Sequence, residues 1–232
     1  MKSIRFIINC GVLMKSITMH GVEVFVDTDE AYIQINDIRE SDIDKVLREL
    51  TKQYSGYEVV FCFHDMVAPA DTLRGIGAEL SDDCIKMCLL PQDCKAHENH
   101  LVTLLTEVDF DDFAVIHDTR NADMYWTSER IRNNRDIWRI FLLQTKQGIS
   151  GYAMLMIELS DDSLGEIFCV EADDPAQCKA IFSAAANCAF ECGKNEVVFM
   201  ADRDDTDAQV AASAVGFRVA GYYQAYRVAS IA

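Results

Sequence analysis

The chain has 232 residues, of which half are hydrophobic and a quarter charged, and its formal net charge is −17. This composition excludes a disordered chain and indicates a soluble globular protein large enough for two compact domains. No apolar run reaches the roughly 18 residues of a transmembrane helix, so we expect no membrane partner. The acidic surface repels phosphate backbones, so we expect no nucleic-acid partner. It would attract a cationic small molecule, although acidity can also serve solubility alone.

The first half predicts strands, then two helices that alternate with further strands. Ser41 is a candidate N-cap of the first helix. The apolar residues that follow it recur at the helical period, so they would form one apolar face of that helix. The predicted elements, in chain order, are strands Ser3–Cys10, Val22–Val26 and Tyr32–Ile35, a helix ending at "YSGY", the strand "YEVVFCFH", the short helix "ADTLRGIGAEL" and the strand "DCIKMCLL". The segment "LPQDCKAHENH" breaks the pattern and predicts a linker.

The second half predicts a strand and two helices, then an antiparallel meander and two further helix–strand pairs. Its helices begin near Asp109 and within "MYWTSERIRNN", and its meander is formed by "IWRIFLLQT", "ISGYAMLMIEL" and "LGEIFCV". Asp174 and Pro175 predict the start of the next helix, and Gly193 predicts its end. The predicted buried face of this helix contains Ile181, Ala184, Ala185, Cys188 and Cys192. The strand "EVVFMA", a short helix ending at Gly216 and the closing strands complete the chain.

The four letters "EVVF" occur at 58–61 and again at 196–199. Each copy is followed by an acidic stretch, a short helical pattern, a glycine and a strand. Gly77 follows Phe61 by 16 residues, and Gly216 follows Phe199 by 17. This conserved order predicts a duplicated supersecondary unit.

Residues 101–232 resemble the GNAT superfamily of N-acetyltransferases in the order of their elements. The local matches are "GISGYAML" for the third strand, "GEIFCV" for the fourth and "SAVGFRVAGYYQAYRV" for the closing elements. The resemblance implies an α/β (α+β) GNAT acyl-CoA N-acyltransferase fold, in which helices flank a mixed, mostly antiparallel central sheet. The first half resembles only the back half of that fold. We therefore predict a partial GNAT-like domain at 1–98 and a complete one at 99–232.

The resemblance also implies acetyl-CoA as cofactor and a small amine as acceptor, which the acidic surface would favour as a cation. The fourth and fifth strands of this fold splay apart, and Glu166 to Val170 and Glu196 to Ala201 supply them here. We predict Glu166 as the base and Tyr223 as the acid, with Tyr222 or Tyr226 as alternatives for the acid. A polar strand residue and core aromatic residues are the structural alternatives. The predicted cofactor-binding residues are Phe168, Cys169, Val170, Gln177, Cys178, Lys179 and Ala180.

Three departures from the family pattern favour a second function. The stretch "EADDPAQCKAIF" lacks the glycines of the family's pyrophosphate loop. Asp173 and Asp174 place carboxylates at the helix end that a pyrophosphate would use. Ala212 stands where the family's tyrosine usually lies. The alternative is therefore a degenerate GNAT-fold binding or interaction protein that no longer binds acetyl-CoA.

Two further segments offer rival sites. "VAPADTLRGIGAEL" places Arg74, Gly75 and Gly77 in an order that resembles the missing loop, and this reading would make 75–90 one long helix. A group of thiols and imidazoles could instead hold zinc, although no pair has the Cys-x-x-Cys spacing of a strong site, and we predict no metal. This group contains Cys84, Cys88, Cys94, His97 and His100.

Cysteine usage predicts a cytoplasmic protein. The nine cysteines are odd in number, and most lie within apolar segments such as "FCF" and "EIFCV". Buried thiols in a reducing compartment explain this better than a disulfide framework does. The sequence leaves open whether the two halves pair within one chain or the sheets of two chains meet in a homodimer.

Overall fold

The computed structural model describes residues 14–95, 101–122, 124–157, 163–174 and 177–231. The predicted strand Ser3–Cys10 lies outside these ranges. The described strands are β1 (Lys15–Met19), β2 (Val22–Asp27), β3 (Tyr32–Asn36), β4 (Glu58–His64), β5 (Glu79–Leu89), β6 (Val102–Leu104), β7 (Trp138–Thr145), β8 (Gly148–Met156), β9 (Leu164–Ala172), β10 (Glu196–Asp202) and β11 (Arg218–Val228). The described α-helices are α1 (Glu40–Gln53), α2 (Ala70–Gly75), α3 (Phe110–Arg120), α4 (Ser128–Asn133), α5 (Cys178–Glu191) and α6 (Thr206–Val215).

The chain folds into two compact units. The smaller unit takes its described residues from 14–84 and 221–231, and the larger from 85–220. The long strands β5 and β11 each contribute residues to both units. The boundary that we predict between residues 98 and 99 stays a prediction.

The smaller unit is a mixed sheet with strand order β1-β2-β3-β4-β11-β5, covered on one face by α1. Strand β4 runs parallel to β3 and antiparallel to β11. The side chains of α1 that enter the core are those of the predicted helical stripe, and Ile43, Val46 and Leu50 are fully buried. Hydrophobic periodicity therefore specifies how α1 lies on this sheet.

The larger unit is a mostly antiparallel sheet with strand order β5-β10-β9-β8-β7-β6. Strands β9 and β10 form its parallel pair. Helix α5 packs its apolar face on one side of the sheet, where Ile181, Phe182 and Ala185 are fully buried. Cys192, which we predict in the same stripe, is exposed, because it caps the end of α5 beyond the core.

Most of the predicted elements are confirmed, and the corrections concern their ends. The N-cap of α1 is Arg39 rather than Ser41, and the guanidinium of Arg39 bonds Asp42 at 2.9 Å across the first turn. The N-cap of α5 is Gln177 rather than Asp174, whose carbonyl instead accepts a hydrogen bond from the Gln177 N–H at 2.9 Å. No α-helix in the described ranges is long and apolar enough to cross a membrane.

The two "EVVF" segments occupy equivalent places in the two units. Both open a seven-residue strand with five consecutive buried residues, β4 and β10, and both strands run parallel to the strand before them. Each is followed by a short helix, α2 or α6, and then by an eleven-residue strand, β5 or β11. The predicted order of the repeat is therefore present in both halves.

Gly216 ends α6 in a way that only glycine permits. Its φ is 117°, and a Cβ at this position would lie 2.1 Å from the carbonyl oxygen of Asp93. A left-handed residue is the common helix terminator, but here a neighbouring backbone also touches it. Residue 216 must therefore adopt a left-handed backbone conformation, and there is no room for a side chain at this position.

Replacement of Gly216 by Ala should destabilise the protein by more than about 3 kcal/mol, because a conformational cost and a backbone clash add. Gly148→Ala is the matched control, since Gly148 has φ 114° but nothing within 4 Å of the added Cβ. We expect the control to lose only about 1–2 kcal/mol. Urea unfolding measures both variants, and equal losses would show that the contact with Asp93 carries no cost.

Candidate functional site

Strands β9 and β10 separate partway along their length. Their parallel ladder runs from Leu164 opposite Glu196 to Ile167 opposite Phe199. Beyond these pairs β9 continues to Ala172 and β10 to Asp202, with no further pairing between the two strands. Backbone N–H and C=O groups that a ladder would use are therefore directed into the opening. This is the splay that the sequence analysis predicts for 166–170 and 196–201.

A β-bulge in β9 lies where the separation begins. On the side of β8, Met154 pairs with Cys169 while Leu155 pairs with Ile167, so Phe168 is the extra residue of the bulge. A bulge bends its strand and increases the local twist. The bulge at Phe168 thus turns the end of β9 away from β10, and it is a feature that the sequence analysis did not predict.

Glu166 lies next to this opening, one residue before the last paired position. Its side chain is 3% exposed, and the residues opposite it are Met156 on β8 and Val198 on β10. Neighbouring Gly165 faces α5, since a Cβ there would lie 3.1 Å from Ala189. Glu166 therefore points to the sheet face opposite α5. A buried carboxyl group beside such an opening is a candidate catalytic base.

A buried hydrogen-bonded network supports the separated half of β9. The imidazole of His117 on α3 reaches the carbonyl of Trp126 through Nε2 at 2.7 Å and the hydroxyl of Tyr152 through Nδ1 at 3.0 Å. A carbonyl only accepts, so Nε2 carries the proton and the Tyr152 hydroxyl donates to Nδ1. That hydroxyl accepts from Asn121 Nδ2 at 2.7 Å and lies 3.9 Å from the thiol of Cys169. The network therefore connects α3 to β9 at Cys169, the residue that follows the bulge.

The ionisation of His117 follows from its burial. Its side chain is fully buried, and burial lowers the pKa of the imidazole, opposed by the hydrogen bond to the Trp126 carbonyl. Burial also raises the pKa of Tyr152 far above its ordinary value. Both groups are therefore neutral around pH 7, as the direction of their hydrogen bonds requires.

The start of α5 is acidic. Burial, together with the carboxylates of Asp205, Glu171, Asp174 and Asp207, raises the pKa of Cys178 to about 11. These carboxylates therefore act on the helix end at which a pyrophosphate would bind. Of the residues predicted there, Cys178 and Ala180 are buried, while Gln177 and Lys179 are half-buried. Only the last two side chains reach the surface.

Arg120 offsets part of this negative charge. At the end of α3 its guanidinium forms an ion pair with Asp173, and it also lies 4.0 Å from a carboxylate oxygen of Glu171. The guanidinium is about 29% exposed, so it is reachable from solvent. Sequence reasoning missed Arg120, because nothing in its local pattern relates it to residues about 50 positions away.

The predicted acid lies in the other unit. Tyr223 belongs to the smaller unit and is 2% exposed, and its hydroxyl donates to Cys62 Sγ at 3.2 Å. Tyr222 is exposed and Tyr226 lies in the core beside Phe63. Ala212 is fully buried in the core of the larger unit. Glu166 and the predicted cofactor-binding residues therefore lie in the larger unit, whereas Tyr223 lies in the smaller one.

The prediction of a long helix at 75–90 is wrong. Helix α2 ends at Gly75, Gly77 turns the chain with φ 81°, and 79–89 form strand β5. The turn allows β5 to begin only two residues later, so the glycines terminate a short helix rather than open a long one. Arg74 is paired with Asp71 on the surface of α2.

The described parts of the proposed zinc group do not form a cluster. No set of three His, Cys, Asp or Glu side chains in the described ranges is placed to hold a metal ion. Cys84 is buried, Cys88 and Cys94 are half-buried, and His97 and His100 lie outside the described residues.

A cavity of about 350 Å³ lies in the larger unit, at the edge formed by β6 and β7. The residues that line it include Leu104, Arg135 and Trp138.

Comparison with known proteins places this geometry in a fold family. No family model and no curated protein matches the chain. A GCN5-related N-acetyltransferase from Kribbella flavida matches with a TM-score of 0.66 and 12% identity, over 94% of this chain and 90% of that one. Another from Sphaerobacter thermophilus matches with a TM-score of 0.57 and 17% identity, over 89% and 76%. A tandem GNAT protein from the clavulanic acid biosynthesis pathway matches with a TM-score of 0.53 and 13% identity, over 89% and 78%.

The chain therefore has the fold of the GNAT-family acetyltransferases, as the resemblance in the sequence implies. The mixed, mostly antiparallel sheet and its flanking helices agree with that fold. At these low identities the likeness defines the class of fold and leaves the activity to be argued from the site.

The neutral state of His117 should make stability depend on pH. The pKa of His117 is lowered in the folded protein, so the unfolded chain binds the proton first as the pH falls. The free energy of unfolding should decrease as the pH falls through about 6.5, with a slope of at most about 1.4 kcal/mol per pH unit from this group. It should level off below the folded-state pKa.

His117→Gln should remove this slope, while the contributions of the other titrating groups remain. Urea unfolding of both proteins between pH 5 and 8, the range in which an imidazole titrates, gives the difference directly. The same slope in both proteins would show that the buried imidazole is not held neutral.

Proposed function

We propose that the protein is an acetyl-CoA-dependent N-acetyltransferase whose acceptor is a small amine. The observation that carries the proposal is the separation of β9 and β10 after Ile167 and Phe199, with a bulge at Phe168. Free backbone groups between two strands can hold an extended chain by main-chain hydrogen bonds. The fold of the matched acetyltransferases supports the same reading.

The residues present fit one end of acetyl-CoA better than the other. The backbone of 168–170 would hold the pantetheine arm and the thioester, and Lys179 and Arg120 would face the pyrophosphate together with the N–H groups at the start of α5. The carboxylates of Glu171, Asp174, Asp205 and Asp207 act against this second contact. We therefore expect binding that is weak and strongly dependent on salt.

Acetyl-CoA supplies an activated acyl group when it is bound, and the protein supplies position and proton transfer. Glu166 accepts a proton from the incoming amine, which must be neutral to act as a nucleophile. Backbone N–H groups beside Phe168 would donate to the acyl oxygen, a contribution typical of an oxyanion hole. The net charge of −17 favours an acceptor that approaches as a cation.

The proposal also includes the compartment and the oligomeric state of the protein. The cysteine pattern favours the cytoplasm, and a homodimer in which the sheets of two chains meet is one way for the protein to assemble. Sedimentation of the purified chain at several concentrations distinguishes a dimer from a monomer.

A second candidate function is a binding or interaction protein that has kept the fold without the cofactor. The acidic start of α5 favours it, because Asp174, Asp205 and Asp207 act where an anion must lie. Ala212, which is buried in the core, offers no proton donor. The two candidates differ in whether acetyl-CoA binds at all.

Calorimetric titration of the full chain with acetyl-CoA should give saturable binding near one molecule per chain. Lys179→Ala should weaken this binding, whereas the control Arg74→Ala, on the surface of α2, should leave it unchanged. Absence of heat at millimolar acetyl-CoA, or equal weakening by both variants, would contradict the proposed site and favour the second candidate.

Glu166→Gln should lower the turnover of amines by about 10²–10⁴-fold while leaving the affinity for acetyl-CoA unchanged, because it removes a general base and retains the shape of the side chain. Thiol release during incubation with a panel of primary amines measures the turnover. If the variant keeps its turnover, Glu166 is a structural residue and another group takes the proton.

A further inference from the structure

The smaller unit contains a histidine whose hydrogen bonds are only half satisfied. His64 ends β4, and its Nδ1 lies 3.2 Å from both carboxylate oxygens of Asp37. A carboxylate oxygen accepts, so Nδ1 carries the proton, and in the neutral tautomer of the ring the lone pair lies on Nε2. This Nε2 is buried, and no group in the described ranges bonds to it. An unsatisfied buried polar atom is costly and is a common mark of a ligand site.

The backbone on both sides of His64 is held in strained conformations. Asp37, which directly follows β3, has φ 50°, and Asp65, which directly follows β4, has φ 54°. Such conformations are unfavourable for residues other than glycine, and they persist where the surrounding contacts require them. The His64 N–H donates to Asp37 Oδ1 at 2.7 Å, so the strained residue Asp37 also fixes the orientation of the imidazole.

Asp65 is fixed by the neighbouring strand. Its N–H donates to the carbonyl of Tyr222 at 2.9 Å, and its carboxylate accepts from the Tyr222 N–H at 2.8 Å. The carboxylate lies against Gly221, where a Cβ would be only 1.7 Å from Asp65 Oδ1. This clamp joins the end of β4 to the middle of β11 and keeps Tyr223 beside His64.

Aromatic and acidic groups surround the unsatisfied nitrogen. The rings of His64 and Tyr223 are 5.2 Å apart, and the Tyr223 hydroxyl bonds the thiol of Cys62. Burial, aided by the carboxylates of Asp82 and Asp37 and opposed by the hydrogen bond from Tyr223, raises the pKa of Cys62 to about 12. Asp82 also raises the pKa of Tyr223, so its carboxylate is close to both groups. Two carboxylates therefore place a negative potential on a neutral cluster.

We propose that Asp37, Cys62, His64, Asp82 and Tyr223 form a binding site for a small primary alkylammonium compound, one of whose N–H groups donates to His64 Nε2. A lone pair requires a donor, so the ligand must carry N–H or O–H groups. The carboxylates of Asp37 and Asp82 disfavour anions, and an aromatic face such as that of Tyr223 attracts ammonium groups.

Access to this site is from the end of β4. The His64 side chain is 16% exposed, so its ring reaches the surface. The following residues Met66 and Val67 are 42% and 92% exposed and provide an apolar surface for an alkyl chain. All residues of the site belong to the smaller unit, so the inference does not depend on the proposed acetyl transfer.

The test is a nuclear magnetic resonance titration in which n-butylammonium chloride is added to the full chain. The histidine rings of the chain are labelled with ¹⁵N. His64→Gln identifies the His64 signals by their loss. We expect a saturable shift of the His64 Nε2 resonance, whereas the resonances of the buried His117 should not move. A His64 signal that stays in place up to the highest concentration would overturn the proposal.

Two further probes distinguish the N–H contact from simple charge attraction. Sodium butyrate, an anion of similar size, should give no saturable shift. n-Butyltrimethylammonium chloride keeps the positive charge but lacks the N–H groups, and it should bind at least about tenfold more weakly, since a hydrogen bond of a charged donor is lost. Equal binding of the trimethylated probe, or saturable binding of butyrate, would contradict the site as described.

Asp37→Asn should weaken n-butylammonium binding about tenfold, because it removes the charge that supports both the imidazole and the ligand. Asp71→Asn is the matched control, since Asp71 is a carboxylate of the same unit that is 96% exposed and paired with Arg74. Equal losses in both variants would mean that only the overall charge matters. The comparison of the three probes on the unaltered protein decides the question even if a variant is unstable.

Discussion

The structure of the larger unit depends on the point at which β9 and β10 stop pairing. Below Ile167 and Phe199 the two strands are ordinary neighbours in a sheet, and above them the ladder between the two strands ends. The bulge at Phe168 makes this separation a built feature, because the extra residue bends β9 while its other edge stays paired with β8. Each unmet backbone group costs free energy unless a partner or water satisfies it.

The surroundings of this opening divide into a part that suits acyl transfer and a part that opposes it. On the sheet face opposite α5, a buried carboxylate lies beside the opening and a neutral His117–Tyr152 network fixes the adjoining strand. At the start of α5, carboxylates stand where the proposed function places the pyrophosphate of acetyl-CoA. The ion pair of Arg120 with Asp173 shows that the protein neutralises part of that charge from a different helix. The affinity for the cofactor depends on the balance between these groups.

Much of the fold could be predicted from the sequence, because the relevant signals are local. Continuous apolar runs such as "EVVF" predict buried parallel strands, and Gly193 and Gly216 end helices through their own backbone freedom. The helix starts were less predictable, since Arg39 stabilises the first turn of α1 through Asp42 without a side-chain cap. The bulge at Phe168, the pairing of Arg120 with Asp173 and the strain at Asp37 and Asp65 arise from contacts between distant segments, which no local pattern specifies.

The central claim is that the separated half of β9 binds acetyl-CoA, and backbone amide shifts test it most directly. In a ¹H–¹⁵N spectrum of the deuterated chain, acetyl-CoA should perturb the amides of Phe168, Cys169 and Val170 together with those at the start of α5. Strand β4 of the smaller unit, which is paired with β3 from Glu58 to Cys62 and with β11 from Val59 to His64, should not respond. Unchanged amides at 168–170 in the presence of saturating acetyl-CoA would contradict the account.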